Sequence, residues 1–134
     1  METSGLDHVV LTVSNIEQSR RFYADVLGFD VHVLRDDFPS AVFAGAAYFA
    51  VGSVEIFLIT HPQTASGDRF VEQRIGLDHL SFKAPDEAAL HALVTTLREA
   101  GIATNGVEIF APAGRPYVSF RDPDNIQLEY WLDK

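Results

Sequence analysis

The chain has 134 residues, 47% of them apolar and 22% charged, which is ordinary for one globular domain long enough to bury a core. Its net charge of −9 argues against nucleic acid or an anionic membrane surface as the main partner, and its lack of cysteine excludes disulfides, thiolate metal sites and a cysteine nucleophile. No apolar run is long enough for a membrane helix and the start, METSGLDH, does not read as a secretory signal, so the expectation is a cytoplasmic enzyme or binding protein.

In chain order, an apolar run, Val9, Val10, Leu11 and Val13, predicts a first strand. Ser14 and Glu17 have capping-box spacing, and Ile16, Ser19, Tyr23, Val26 and Leu27 then share one helix face. Gly28 stands where a left-handed residue would end that helix. Three strands are expected at about 29–35, 40–51 and 53–60, with Gly52-Ser53 as a tight turn. Residues 61–75 carry turn chemistry and little periodicity, and read as a linker.

The pattern then starts again. Gly5-Leu6-Asp7-His8 recurs as Gly76-Leu77-Asp78-His79, followed by Leu80 and Phe82. Asp86 is a good N-cap, Leu90, Leu93, Val94 and Leu97 form a helix stripe, and Gly101 closes it. Strands are expected at about 102–110, 116–122 and 125–132, with Asp124-Asn125 as the matching turn. The chain therefore reads as a single α+β domain of two βαβββ modules, about 5–60 and 76–134, forming a cupped, mostly antiparallel sheet with helices outside.

Strand alternation assigns faces. Val9, Leu11 and Val13 belong under the first helix, which turns His8 to the opposite, concave face. The same argument turns His79 to that face in the second module. In the last strand, Ile126, Leu128 and Tyr130 face the helix, while Gln127, Glu129 and Trp131 face the hollow. A lone strand histidine is ordinarily a packed or rim side chain. Two at equivalent repeat positions, with a mid-strand carboxylate on the same face, instead form a two-His-one-carboxylate set suited to Fe, Mn, Ni or Zn. His8, His79 and Glu129 are the candidate metal ligands. Phe43, Phe57, Tyr117 and Trp131 give the same face an apolar, aromatic character suited to a hydrophobic small molecule. His32 alternates toward this face, His91 toward solvent, and Arg115 near the rim is placed to meet a carboxylate.

These segments resemble a known family. Leu6 to Val13, Ser19 to Phe29 with its Phe-Tyr and Leu-Gly-Phe elements, Leu77 to Phe82, and Phe120-Arg121-Asp122-Pro123-Asp124-Asn125 through Glu129 are similar to the vicinal oxygen chelate superfamily. That superfamily comprises glyoxalases, bleomycin resistance proteins and extradiol dioxygenases. The resemblance implies paired modules cupped around a divalent metal that chelates vicinal oxygens of a small substrate. It also implies that modules pair within or between chains to close the cup; open sheet edges predict a homodimer, and pairing between chains would take His8 from one chain and His79 with Glu129 from its partner.

Glyoxalase-type relatives add a fourth ligand from the last strand of the first module. Aligning Val54 to Ile59 on the last strand of the chain sets Phe57 opposite Glu129, with Glu55 two residues early but on the same face. Either the strand slips and Glu55 is a ligand, or the fourth position is empty and Glu55 is the candidate catalytic base or simply an exposed strand carboxylate. The resulting expectation is a metal-dependent lyase, isomerase or dioxygenase. The alternative is a metal-free sequestration protein like the bleomycin resistance proteins.

Overall fold

The computed structural model of the protein describes residues 2–133. Met1 and Lys134, the ends of the expected domain, lie outside the described residues. The chain divides into two compact units, Met1–Asp68 and Arg69–Lys134. The first contains strand β1 (His8–Thr12), helix α1 (Ile16–Arg21), which runs on into a π-helical turn at Phe22–Val26, then β2 (His32–Val33), β3 (Ala47–Val51) and β4 (Val54–Ile59). The second contains β5 (Leu80–Ala84), α2 (Glu87–Glu99), β6 (Val107–Phe110), β7 (Arg115–Arg121) and β8 (Gln127–Leu132).

Each unit forms a four-stranded sheet, in the orders β1-β4-β3-β2 and β5-β8-β7-β6. In each, the first strand lies parallel to the last and the other pairs are antiparallel. The α+β fold of two βαβββ modules is therefore present, and the tetrapeptide repeat is its sequence trace. No described helix is long and apolar enough to cross a membrane.

Alternation sets the core of each unit as expected. In the first, Leu11, Val13, Ala47, Phe49, Ile56 and Leu58 are buried with Phe22 and Tyr23 from the helix. The Tyr23 ring stacks on Phe49 at 5.1 Å, and Phe29 stacks on Phe49 at 4.6 Å. The widened π turn explains why Phe22 and Tyr23 are buried side by side, which a regular helix face does not predict. In the second unit, Leu90, Val94 and Leu97 of α2 are buried, with Phe82, Val118, Phe120, Ile126 and Leu128 from the sheet.

Four local expectations are corrected. The first helix is capped by Asn15, not Ser14: Asn15 is extended and its side chain accepts the Gln18 amide at 2.9 Å. The strand expected over 29–35 shortens to His32–Val33. The strand expected over 40–51 keeps only Ala47–Val51, because residues 41–45 turn and Gly45 takes φ +70°. In the second unit the strand expected over 102–110 begins at Val107, after Gly106 at φ +85°. The other chain-stop signals hold. Gly28 and Gly101 are left-handed at φ +77° and +71°, and Asp86 caps α2 through the Ala89 amide at 2.8 Å.

The segment Arg121 to Asn125 secures the stretch that enters the second unit. Arg121 makes a two-pronged ion pair with Glu72, at 2.9 and 3.1 Å, and donates to the Asn125 carbonyl at 3.0 Å. Asn125 is left-handed at φ +70° and donates through Nδ2 to the Phe70 carbonyl at 2.9 Å. The buried Asp122 carboxylate accepts the amides of Asp124 and Ile126 at 2.9 and 2.8 Å, which shapes the turn and delivers β8 in register. Removing this carboxylate in Asp122→Ala strands both amides, and should lower unfolding stability by about 3 kcal/mol in a denaturant titration.

Its hydrogen bond with Arg121 holds the Glu72 carboxyl at about 2, down from 4.5. A depressed carboxyl stabilises the fold above its unfolded value and loses that contribution as pH falls toward its folded value. Thermal unfolding followed across this window should show Glu72→Gln losing less stability than wild type between about pH 4.5 and pH 2.

Candidate functional site

Strand register builds the site on the sheet face opposite each helix. In the second unit β8 runs between β5 and β7, with Ser81 opposite Glu129 on one side and Ser119 opposite it on the other. Glu129 is only 8% exposed, a costly position for a carboxylate. Four groups surround it. Oε2 accepts the Trp131 indole N–H at 2.6 Å and the Ser81 hydroxyl at 3.0 Å, and Oε1 accepts the Gln127 amide at 3.3 Å. His79 brings its Nε2 to 3.3 Å from Oε2.

The other nitrogen of His79 determines what that approach means. Nδ1 lies 2.6 Å from Asp78 Oδ1. An ionised carboxylate only accepts, so this contact places the ring proton on Nδ1. A neutral ring then directs its Nε2 lone pair at the Glu129 carboxylate. Two electron pairs facing each other across 3.3 Å require a cation, either a proton or a metal ion, between them. A carboxylate holding the far nitrogen of a histidine is also the usual support of a metal-ligating imidazole. The chemistry of this pair therefore suits either a shared proton or a divalent ion.

The first unit repeats half of this arrangement. His8 Nδ1 lies 2.6 Å from Asp7 Oδ1, as in the second copy of the tetrapeptide. In the parallel β1/β4 pair, however, Glu55 is the register partner of His8 and Phe57 that of Val10. The corresponding β5/β8 pair sets Leu80 against Leu128 and Ser81 against Glu129. Glu55 therefore matches Gln127, and Phe57 occupies the position of Glu129. Where His79 meets a carboxylate, His8 meets the Phe57 ring edge-on at 5.8 Å. The strand does not slip.

Phe57 belongs to a ladder of rings: it stacks on Tyr48 at 5.5 Å and meets Phe43 edge-on at 5.4 Å, and Tyr48 continues to His32 at 5.4 Å. In the second unit Tyr117 stacks on Trp131 at 4.5 Å with ring planes 13° apart, and Phe110 meets the indole edge-on at 5.6 Å. Burial, followed by the charges of Glu108 and Glu129, pushes the Tyr117 hydroxyl above its ordinary range. The four expected aromatic residues thus fall into two pairs, Phe43 with Phe57 and Tyr117 with Trp131.

His8 lies in the first unit, and His79 and Glu129 in the second. Among the described residues no group of three or more His, Asp or Glu side chains is gathered as a metal cluster; His79 and Glu129 form a pair. Sequence reading missed the supporting set of Asp7, Asp78, Ser81 and Gln127. Asp7 and Asp78 were visible within the repeated tetrapeptide, whereas Ser81 and Gln127 gain meaning only from register. Tyr48 was missed because the strand bounds around it were drawn too long.

The comparisons with known proteins agree with this architecture. YwkD of Bacillus subtilis (strain 168) is 29% identical over 133 residues, covering 98% of each chain. A solved glyoxylase/bleomycin resistance protein/dioxygenase domain from Frankia sp. EAN1pec is 34% identical, with a TM-score of 0.82 over 99% of this chain and 100% of that one. A lactoylglutathione lyase from Agrobacterium tumefaciens shares the fold at 21% identity, with a TM-score of 0.70 over 98% of this chain and 96% of that one. The model of the Glyoxalase/Bleomycin resistance protein/Dioxygenase superfamily matches residues 5–130, and the chain belongs to that superfamily.

Proposed function

We propose that the protein is a metal-dependent enzyme of the glyoxalase type, acting on a small hydrophobic or aromatic molecule through two neighbouring oxygens. The observation that carries this reading is the apposition of His79 Nε2 to the buried Glu129 carboxylate, with the other ring nitrogen held by Asp78. His8, His79 and Glu129 would hold a divalent ion, whether Fe, Mn, Ni or Zn, with Phe57 leaving the fourth protein position empty. When bound, such an ion supplies positive charge that stabilises an oxyanion on the substrate.

The remaining work falls to the chain. Asp7 and Asp78 keep the proton on Nδ1 of each histidine, so each Nε2 lone pair is presented outward. Trp131, Ser81 and Gln127 orient Glu129. Glu55, exposed on the same face as His8, takes a proton from the substrate at its carboxylate oxygen and returns it. Phe43, Phe57, Tyr117 and Trp131 shelter the apolar part of the substrate from water. The protein works as a homodimer, the state that covers the exposed edges of two short sheets.

Metal titration of chelator-treated protein tests this reading. Wild type should take up one divalent ion per chain, and His8→Ala, His79→Ala and Glu129→Gln should each weaken uptake by more than about 100-fold. Asp78→Asn, which removes only the support of a ligand, should weaken it by about 10- to 100-fold. Glu55→Ala should keep the ion at wild-type affinity and lose proton exchange into substrate, read by deuterium incorporation. Wild type that takes up none of the four metals overturns the proposal.

Sedimentation velocity at micromolar concentration should give a dimer. A monomer there refutes the assembly but leaves the ligand assignment to the titration.

A further inference from the structure

We infer that Arg115 is a receptor for a carboxylate, and that the small molecule bound on this face is an organic acid with an apolar or aromatic body. The inference deepens the proposed function and rests on its reading of this face as a small-molecule site.

Arg115 opens β7 on the same face as Tyr117, Ser119 and Glu129. Its Nε donates to the Leu132 carbonyl at 2.6 Å, and its guanidinium lies 5.3 Å from the centre of the Trp131 ring. The two contacts hold the charged fork in place, so little side-chain freedom remains to be lost when a ligand docks. Both contacts leave the terminal nitrogens free. Among the described residues, neither Nη1 nor Nη2 of Arg115 has a hydrogen-bond or ion-pair partner.

The other cations on this face are engaged. Arg121 is bound twice by Glu72 and once by the Asn125 carbonyl. Lys83, the register partner of Trp131, is 3.2 Å from Asp133. Among the described residues of this face, Arg115 alone keeps an open, planar pair of donors, the geometry that matches a carboxylate in two-pronged fashion.

The surroundings select the ligand further. Phe110, 45% exposed, and the Tyr117–Trp131 stack border the fork with apolar surface. Glu108 lies on the neighbouring strand opposite Tyr117, and Glu129 on the other side of β7. Two carboxylates this near favour a singly charged ligand over a dianion, as does the net charge of −9. Glu129 and Trp131 are two residues apart on β8, about 7 Å along the strand. One small acid can therefore rest its carboxylate on Arg115 and extend its body toward Glu129.

Trp131 is the single tryptophan of the chain, so its fluorescence reports directly on this spot. The metal-free protein, held in chelator, is titrated with benzoate, its neutral isostere benzamide, and phenyl phosphate. Benzoate should change the emission saturably and bind about 10-fold or more tightly than benzamide, and more tightly than phenyl phosphate. Arg115→Gln, with an unchanged circular dichroism spectrum, should bind benzoate and benzamide alike, and Arg115→Lys should keep part of the preference. Equal binding of the two by wild type, a preference surviving in Arg115→Gln, stronger binding of phenyl phosphate, or no saturable change with any probe overturns the inference. No metal enters this titration, so its failure is distinguishable from failure of the metal site, which the metal titration reads separately.

Discussion

A carboxylate buried in the middle of a sheet has to be satisfied by its neighbours, and Glu129 organises the second unit around that requirement. Desolvating an ionised carboxyl without partners is prohibitive, so donors have to converge on it. Ser81 donates across the parallel pair and Gln127 and Trp131 donate from two residues either side on β8, while His79 brings its Nε2 to 3.3 Å from just before β5. This convergence depends on the parallel β5/β8 register, which sets Ser81 directly opposite Glu129. The Asp122 turn matters for the same reason. It starts β8 at the residue that aims Gln127, Glu129 and Trp131 at one face, and a slip of one residue would turn all three toward the helix.

The two units put different chemistry on one backbone plan. Each begins with Gly-Leu-Asp-His, and each Asp holds Nδ1 of its His at 2.6 Å. They part company at the next position across the sheet, where one has Glu129 and the other Phe57. A phenyl ring there needs other rings to pack on, and Phe43 and Tyr48 supply them. A carboxylate there needs donors, and Ser81, Gln127 and Trp131 supply them. The different surroundings of these two positions thus follow from the residue at each and the neighbours it requires.

Much of this organisation was legible in one dimension. The repeat, the stripe on α2, the Asp86 cap and the glycines that stop the helices all act over a few residues, where local conformational preference dominates. The facing of His8, His79 and Glu129 was legible too, because alternation along a strand depends only on parity. Short edge segments were not. Residues 29–35 and 40–46 have strand-like composition, but a strand needs a partner along its whole length, and β2 finds one for only His32 and Val33. The Asn15 cap and the π turn lie beyond such patterns as well. The first was missed by one residue, and the second is recognised only once Phe22 and Tyr23 are seen buried together.

The sequence by itself determined the βαβββ repeat and the face that each histidine and Glu129 occupies, since these follow from local spacing and strand parity, whereas the match of Phe57 to Glu129 waited on the register of β1 with β4. Only the tertiary structure decided which side chains satisfy them. Ser81 reaches Glu129 across 48 positions and Glu72 reaches Arg121 across 49, and the open fork of Arg115 emerges only once Arg121 and Lys83 on its face are seen to be paired. Hydrogen bonds and ion pairs depend on separations of about 3 Å, which strand register and chain closure create and local sequence does not encode.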